Sequence, residues 1–307
     1  MTRGRSTAGA GARICALAPA GVLLTALAAA CGVGAGASVG EVSLTVTRDY
    51  GSELILQRRR DVPESETAMR LLDRYADVST RYGGGFVHSV NGVTGRRGGD
   101  SSYDWFFYVN GVESGVGAAD YPLQGGDRVW WDYRDWSAAM RVPAVVGSYP
   151  EPFLHGYEGE RRRVVVRCRG ATSACRMVRR RLPAGAAAGS GDPIRVLVGA
   201  WSRLRPDPAA ALIERGPDHS GVFADFVRSG ATWKLQPLDE GGSAAGRPRS
   251  AALVAATRLR EDPPTWLVTG SGASQVTAAA RLLGPAELRN RYALATASGR
   301  TIALPVP

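Results

Sequence analysis

Residues 217–221 (PDHSG) place an Asp, a His and a Ser side by side, which are the residue types of a nucleophilic hydrolase. Catalytic triads are assembled by the fold from distant positions far more often than from neighbours in the sequence. The preferred interpretation is therefore a loop, and a hydrolase stays the alternative. We predict no catalytic residues for this chain.

A second candidate is the anion-binding turn at Gly270, Ser271 and Gly272, between a strand-like and a helix-like segment. Backbone amides at a helix N-terminus can hold a phosphate or a carboxylate. The segment lacks the spacing of a nucleotide-binding loop. A tight strand-to-helix turn is the preferred interpretation, with an anion-binding enzyme in the C-terminal half as the alternative.

The N-terminal residues predict export. Arg3, Arg5 and Arg13 precede an apolar stretch that Pro19 and Gly21 interrupt, which is typical of a signal peptide over residues 1–30 rather than of a membrane span. No transmembrane helix is expected here.

Residues 27–31 (LAAAC) resemble a bacterial lipobox, with Ala28 where leucine is usual. The resemblance implies that Cys31 carries lipid, and that a Gly/Ala/Ser-rich tether (31–40) links it to the first folded residue. The predicted location is the extracytoplasmic face of the cell membrane. Ordinary secretion, with Cys31 incidental, stays the alternative.

Of the four cysteines, Cys15 lies in the predicted signal peptide and Cys31 is the predicted lipidation site, so Cys168 and Cys175 remain as a pair. In an oxidising compartment we expect these two to form a disulfide. A six-residue spacing in a chain with three His is poor for a metal site, and no metal is predicted.

Charge is distributed unevenly along the chain that follows the predicted signal peptide. Residues 41–137 contain 11 basic and 15 acidic residues (11 − 15 = −4), and residues 138–307 contain 24 and 13 (24 − 13 = +11). This asymmetry predicts two domains, 41–137 and 156–307, joined by a linker over 138–155. Because an exported protein seldom meets nucleic acid, we expect the basic half to face anionic lipid, a cell-wall polymer or the acidic half. The bias for Arg over Lys is typical of a high-G+C genome such as that of an actinobacterium.

Residues 42–47 alternate apolar and polar side chains, as in a half-buried strand, and residues 53–57 supply a second strand. A helix follows, with Ala68, Leu71 and Leu72 on one face. Further strands end on Asn-Gly turns. The order of hairpin, helix and strands predicts an α+β fold of the β-grasp (ubiquitin-like) type.

Four motifs follow one another in this region: 86–92 (FVHSVNG), 105–111 (WFFYVNG), 117–123 (GAADYPL) and 125–131 (GGDRVWW). Together they resemble the transcobalamin-like C-terminal domain family, over about residues 41–136. In the animal cobalamin carriers of that family the β-domain covers one face of a corrinoid, so the resemblance implies cobalamin as a ligand. A larger helical barrel holds the other face, and no all-helical repeat region is evident in this sequence.

Aromatic residues are concentrated in two predicted strands. Because alternate residues of a strand face opposite ways, we expect Trp130 or Trp131 to lie on the open face of the sheet. Cross-strand packing is the preferred explanation, and a platform for a flat ligand or a partner is the alternative. The tentative ligand-binding residues are His88, Trp105, Tyr108, Asn110, Trp130 and Trp131.

Beyond residue 156, strands alternate with predicted helices, which favours an α/β domain with a largely parallel sheet. The helices are expected over residues 174–182, 207–213, 251–258, 273–283 and 287–295.

Together these features predict a non-enzymatic cell-surface lipoprotein that captures a ligand or binds a partner. The resemblance makes a corrinoid, passed to a membrane importer, the most concrete ligand. The alternative is a structural or cell-wall-associated interaction module without a small-molecule ligand.

Overall fold

The computed structural model of the protein describes residues 38–99 and 101–307, which belong to one compact unit, Ala35–Pro307. The predicted signal peptide, Cys31 and most of the tether lie outside the described residues. Within them, no helix is long and apolar enough to cross a membrane. The described chain has a mixed α/β fold in which strands predominate, as the sequence predicts at the level of class.

The first sheet has six strands, in the order β2-β1-β9-β7-β6, with β8 paired to β7. Strand β1 forms a hairpin with β2 and runs parallel to β9, while β9 and β7 are antiparallel. The expected alternation places Val42, Leu44 and Val46 in the core. The strands are β1 (Ser38–Arg48), β2 (Glu53–Pro63), β6 (Arg96–Gly98), β7 (Ser101–Val109), β8 (Val112–Glu113) and β9 (Arg128–Asp135).

One helix and a small sheet cover this first sheet. The helix α1 (Ala68–Asp73) begins after Thr67, whose hydroxyl accepts a hydrogen bond from the Arg70 amide at 3.2 Å. Its apolar side chains pack onto the sheet, as the spacing predicts. The small sheet contains β3 (Val78–Arg81), β4 (Phe86–Val90) and β5 (Val93–Thr94).

The second six-stranded sheet follows the order β10-β11-β15-β14-β16-β17. Strands β10, β11 and β15 are parallel, whereas β14, β16 and β17 join through antiparallel pairs. The expectation of a largely parallel sheet is therefore wrong for half of it, because short connections at β14–β15 and β16–β17 reverse the chain. The strands are β10 (Arg162–Arg169), β11 (Ser190–Ala200), β14 (Ala252–Thr257), β15 (Thr265–Gly270), β16 (Ala293–Ala297) and β17 (Arg300–Leu304).

Helices and a hairpin pack around the second sheet. Buried residues of α2 and α5 share one hydrophobic cluster, and those of α3 belong to another. The hairpin consists of β12 (Ala224–Ser229) and β13 (Thr232–Pro237). The helices are α2 (Thr172–Arg181), α3 (Trp201–Leu204), α4 (Pro217–Ser220), α5 (Ala273–Leu282) and α6 (Pro285–Leu288), with 3-10 turns at Tyr82–Gly84 and Ala210–Arg215.

Two of the predicted helices are wrong. Residues 251–258 form β14, in which all six side chains are buried, so an Ala-rich run with no polar face is a central strand. The helix expected over 287–295 ends at Leu288 and gives way to β16. In place of the helix predicted over 207–213 there is a 3-10 turn at Ala210–Arg215. The helices predicted over 174–182 and 273–283 are present as α2 and α5, and their ends differ from the prediction by one or two residues at most.

The segment expected to link two domains is packed into the interior. Val142 and Val145 belong to one hydrophobic cluster, and Val146, Tyr149 and Phe153 belong to a second. The first of these clusters also contains side chains from both predicted domains, including Tyr108, Trp130, Phe223 and Tyr292. The acidic and basic parts of the chain therefore share a core.

Candidate functional site

The predicted aromatic residues lie on both faces of the first sheet, and both faces are covered. Trp105 and Trp131 pack on the face that carries α1, and Tyr108 and Trp130 pack on the other. Each of the four is at most 4% exposed. The expectation of an open aromatic face is wrong, because the C-terminal half covers it: the ring centroids of Trp130 and Tyr292 are 5.4 Å apart.

Asn110 is also an interior residue. Its amide Nδ2 donates to Asp127 Oδ1 at 2.7 Å and to the Gly156 carbonyl at 2.8 Å, and its Oδ1 accepts from the Arg128 amide at 2.9 Å. With a φ of 55°, it occupies the left-handed position that the Asn-Gly turn requires. These contacts give Asn110 a structural role in joining β7, β9 and the following segment.

A buried polar network connects the first sheet to the C-terminal half. The Asp132 carboxylate accepts hydrogen bonds from Thr47 Oγ1 at 2.5 Å, Tyr292 Oη at 2.9 Å and the Gly51 amide at 3.1 Å. Trp130 Nε1 donates to the same Thr47 hydroxyl at 2.7 Å. Burial raises the pKa of Asp132 to about 6, although these three hydrogen bonds oppose the shift. The network is enclosed, so its role is structural.

His88 alone among the tentative ligand-binding residues lies at an open surface of the described chain. It lines a pocket of about 380 Å³ between β4 and β7, and its Nε2 lies 2.8 Å from Arg81 Nη2. Because a guanidinium can only donate, Nε2 is the acceptor and the proton of the neutral ring is on Nδ1. Nε2 is therefore engaged by Arg81 in this structure.

This pocket, here called the arginine pocket, collects basic and aromatic side chains. Arg96 lies over the Tyr103 ring at 4.3 Å and Arg97 over the Trp136 ring at 5.2 Å, as in cation–π pairs. Tyr82, 88% exposed, stands at its rim. Its polar lining comprises Arg81, His88, Arg96, Arg97, Asp104 and Trp136.

A second pocket, here called the aromatic pocket, adjoins the first, and Phe86 and Phe106 line both. Trp131 is 2% exposed and lines this pocket, yet its Nε1 donor has no hydrogen-bond partner among the described residues. An unsatisfied buried donor is costly and calls for an acceptor. The pocket is lined mainly by Met69, Val87, Trp105, Phe107, Ala118 and Trp131. Together the two pockets form the β4–β7 groove.

The two alternative enzyme sites do not assemble in the described chain. Ser220 is buried, and its hydroxyl donates to the Gly216 carbonyl at 2.9 Å, so it is not a nucleophile for the neighbouring His219. At the anion-binding candidate, the Ser271 hydroxyl accepts from the Ala251 amide at 3.1 Å, and Gly270 and Gly272 form the turn into α5. The described residues contain no group of three or more His, Cys, Asp or Glu side chains suited to a metal.

The expected disulfide is present. Cys168, in β10, is bonded to Cys175, in α2. The bond ties an edge strand of the second sheet to the helix that follows it.

Residues 65–135 match the family described as Domain of unknown function (DUF4430). This region is a DUF4430 domain. It contains α1, β3 to β9 and both pockets of the β4–β7 groove, and it leaves most of the chain unassigned.

Two other comparisons do not extend this assignment beyond residues 65–135. None of the curated proteins compared with the chain matches it. A solved structure from Ruminococcus gnavus, whose provisional name describes metal binding, is 15% identical, covers 31% of this chain and 97% of its own, and has a TM-score of 0.25.

Proposed function

We propose that this protein is an exported, lipid-anchored binding protein without catalytic activity, and that its DUF4430 domain binds a ligand in the β4–β7 groove. The single observation that supports this proposal most is the groove itself. It combines exposed arginines, aromatic walls and the unpartnered indole donor of Trp131 within the matched domain. A ligand acceptor would satisfy that donor.

The fold supports a transcobalamin-like interpretation of this domain. The proposal of a β-grasp sheet is supported by the hairpin β1–β2, the helix α1 and the central parallel pair β1–β9. Under this interpretation the ligand is a corrinoid or a similar flat molecule passed to a membrane importer. Tyr108, Asn110 and Trp130 are interior residues and are not available to a ligand. The proposed ligand contacts are therefore His88 and the parts of Trp105 and Trp131 that line the aromatic pocket.

A titration with cobalamin tests the corrinoid. Tryptophan fluorescence and corrinoid absorbance are followed together, and we expect saturable quenching that His88→Ala weakens by at least 10-fold. The matched control is His219→Ala, because His219 lies in α4 outside the groove. A flat response up to high micromolar cobalamin contradicts corrinoid binding. Other probes then test whether the groove binds a different ligand.

The second candidate is a protein-interaction module at the cell surface. It is favoured by a specific observation: next to the groove, residues 104–107 at one edge of β7 have no partner strand within the described chain. Such an edge can receive a strand from another protein.

The membrane anchor is tested separately. Mass spectrometry of the mature N-terminus should find a diacylglyceryl-modified Cys31 as the first residue. An unmodified peptide that begins elsewhere contradicts the anchor and favours secretion.

A further inference from the structure

The open edge of β7 is a short gap. Strand β6 pairs with residues 101–103 of β7, and β8 pairs with residues 108 and 109 on the same side. Between them, residues 104–107 have no partner strand on that side within the described chain. We call this stretch the edge gap.

The main-chain direction in the edge gap follows from the pairing with β9. The Asn110 amide donates to the Arg128 carbonyl at 2.9 Å, and the Trp136 amide donates to the Ser102 carbonyl at 2.8 Å. Because hydrogen-bonded pairs alternate in an antiparallel ladder, even-numbered residues of β7 bond to β9 and odd-numbered residues point the other way. The N–H and C=O of Trp105 and the N–H of Phe107 therefore face the gap, and none has a partner among the described residues.

The two pockets meet at this gap, and Phe106 lines both. Trp105 and Phe107 line the aromatic pocket, whereas Asp104 lines the arginine pocket. Successive side chains of a strand point to opposite faces of a sheet. A strand that extended the sheet here would therefore send alternate side chains into the aromatic pocket and the arginine pocket.

The pocket linings define the chemistry of those side chains. Arg81, Arg96 and Arg97 have no salt-bridge partner among the described residues, so they remain available to a ligand. Asp104 opposes them, but its Oδ2 already accepts a hydrogen bond from Trp136 Nε1 at 3.0 Å. In the aromatic pocket the one acidic residue, Glu113, lies 3.0 Å from Arg141 Nε. One face thus favours carboxylates and the other favours apolar groups.

We propose that the edge gap docks an extended peptide segment of a partner protein, in which apolar residues alternate with acidic ones. The inference rests on the proposed function in placing recognition at the β4–β7 groove. Backbone hydrogen bonds to Trp105 and Phe107 supply affinity, and the two pockets supply sequence preference. A polar atom of the docked segment would accept a hydrogen bond from Trp131 Nε1, which has no partner among the described residues.

Synthetic peptides test the inference with the full mature chain. The probe is a fluorescein-labelled nonapeptide in which valine alternates with glutamate, and its binding is followed by anisotropy. Three matched peptides have the same length: one with the valines and glutamates in separate blocks, one with lysine in place of glutamate, and one with alternate backbone amides N-methylated. We expect the first to bind at least 10-fold more tightly than each of the others.

Charge reversal locates the site. Arg97→Glu should weaken binding of the alternating peptide by at least 10-fold, whereas Arg60→Glu, an equal charge change on exposed β2, should change it less than twofold. Circular dichroism of both variants confirms that they are folded. Equal binding of the alternating and block peptides, or equal effects of the two variants, overturns the inference. If cobalamin binds while every peptide fails, the groove is a ligand site and the peptide partner is wrong.

Discussion

At the scale of single residues, the buried Asp132 carboxyl predicts how stability depends on pH. Its folded pKa of about 6 lies above the ordinary value of 3.8, so the folded state holds its proton more tightly. The stabilisation is complete below about pH 4 and is lost as the pH rises through 6, a contribution of up to about 3 kcal/mol. Denaturation with urea between pH 4 and pH 7 should show the decline, and Asp132→Asn should reduce it by about this amount; burial also raises the pKa of Glu240 to about 7, so a smaller decline of the same sign remains.

The exposed Asp73 provides the control for this prediction, because Asp73→Asn should leave the slope with pH unchanged. A slope that is not reduced in Asp132→Asn, with the fold intact, contradicts the assignment to Asp132.

Trp130 yields a second prediction at this scale. It is 3% exposed, and it joins the first sheet to Tyr292 and to the Thr47 hydroxyl. Trp130→Ala should lower the free energy of unfolding by about 3–5 kcal/mol, the usual range for emptying a buried aromatic site. The exposed Tyr82 is the comparison, and Tyr82→Ala should cost less than about 0.5 kcal/mol. Chemical denaturation measures both, and a small loss for Trp130→Ala contradicts its place in the shared core.

Sequence reasoning anticipated some of these residues and missed others. Strand alternation separated Trp130 from Trp131 correctly, since the two lie in different clusters. It could not show that Trp130 would be covered, because Tyr292 is 162 positions further along the chain. The arginine pocket was missed for the same reason: Arg81 and Arg97 lie in strands of different sheets and Trp136 follows β9, so they come together only in the folded chain.

At the scale of elements, the disulfide between β10 and α2 carries the next prediction. It closes a short loop with a sequence separation of 7 residues. Loops of this length are expected to contribute about 2–3 kcal/mol by restricting the unfolded chain. A Cys168→Ser, Cys175→Ser double variant should lose that amount of unfolding free energy, and its α2 amides should exchange faster. Unchanged stability and exchange would mean that α2 is held by packing alone.

The sequence predicts helices and strands best where one face of the element is buried and the other is more exposed. In the first sheet, β1 alternates between buried and half-buried positions from Val42 to Val46, and the sequence shows this directly. In β14 all six residues are buried and three are Ala, so the period that separates strand from helix is absent. The mixed pairing of the second sheet depends on connections that local patterns do not specify.

At the scale of the whole molecule, the shared core predicts cooperative unfolding. Residues from before and after the 138–155 segment pack in one cluster, and Asp132 bonds to Tyr292 across it. Calorimetry of the protein should show a single transition, because separating the two parts would expose the cluster that they share. Two resolved transitions would restore the picture of two independent domains joined by a linker.

The central claim is that the edge gap of β7 is the recognition surface, and backbone amide exchange measures it most directly. In the free protein, the Trp105 and Phe107 amides should exchange fast, while those of Asp104 and Phe106, bonded to β9, should exchange slowly. The alternating valine–glutamate peptide should slow exchange at Trp105 and Phe107 by at least 10-fold and leave Asp104 and Phe106 unchanged. Protection of Trp105 and Phe107 in the free protein, or no added protection with the peptide bound, would contradict the account.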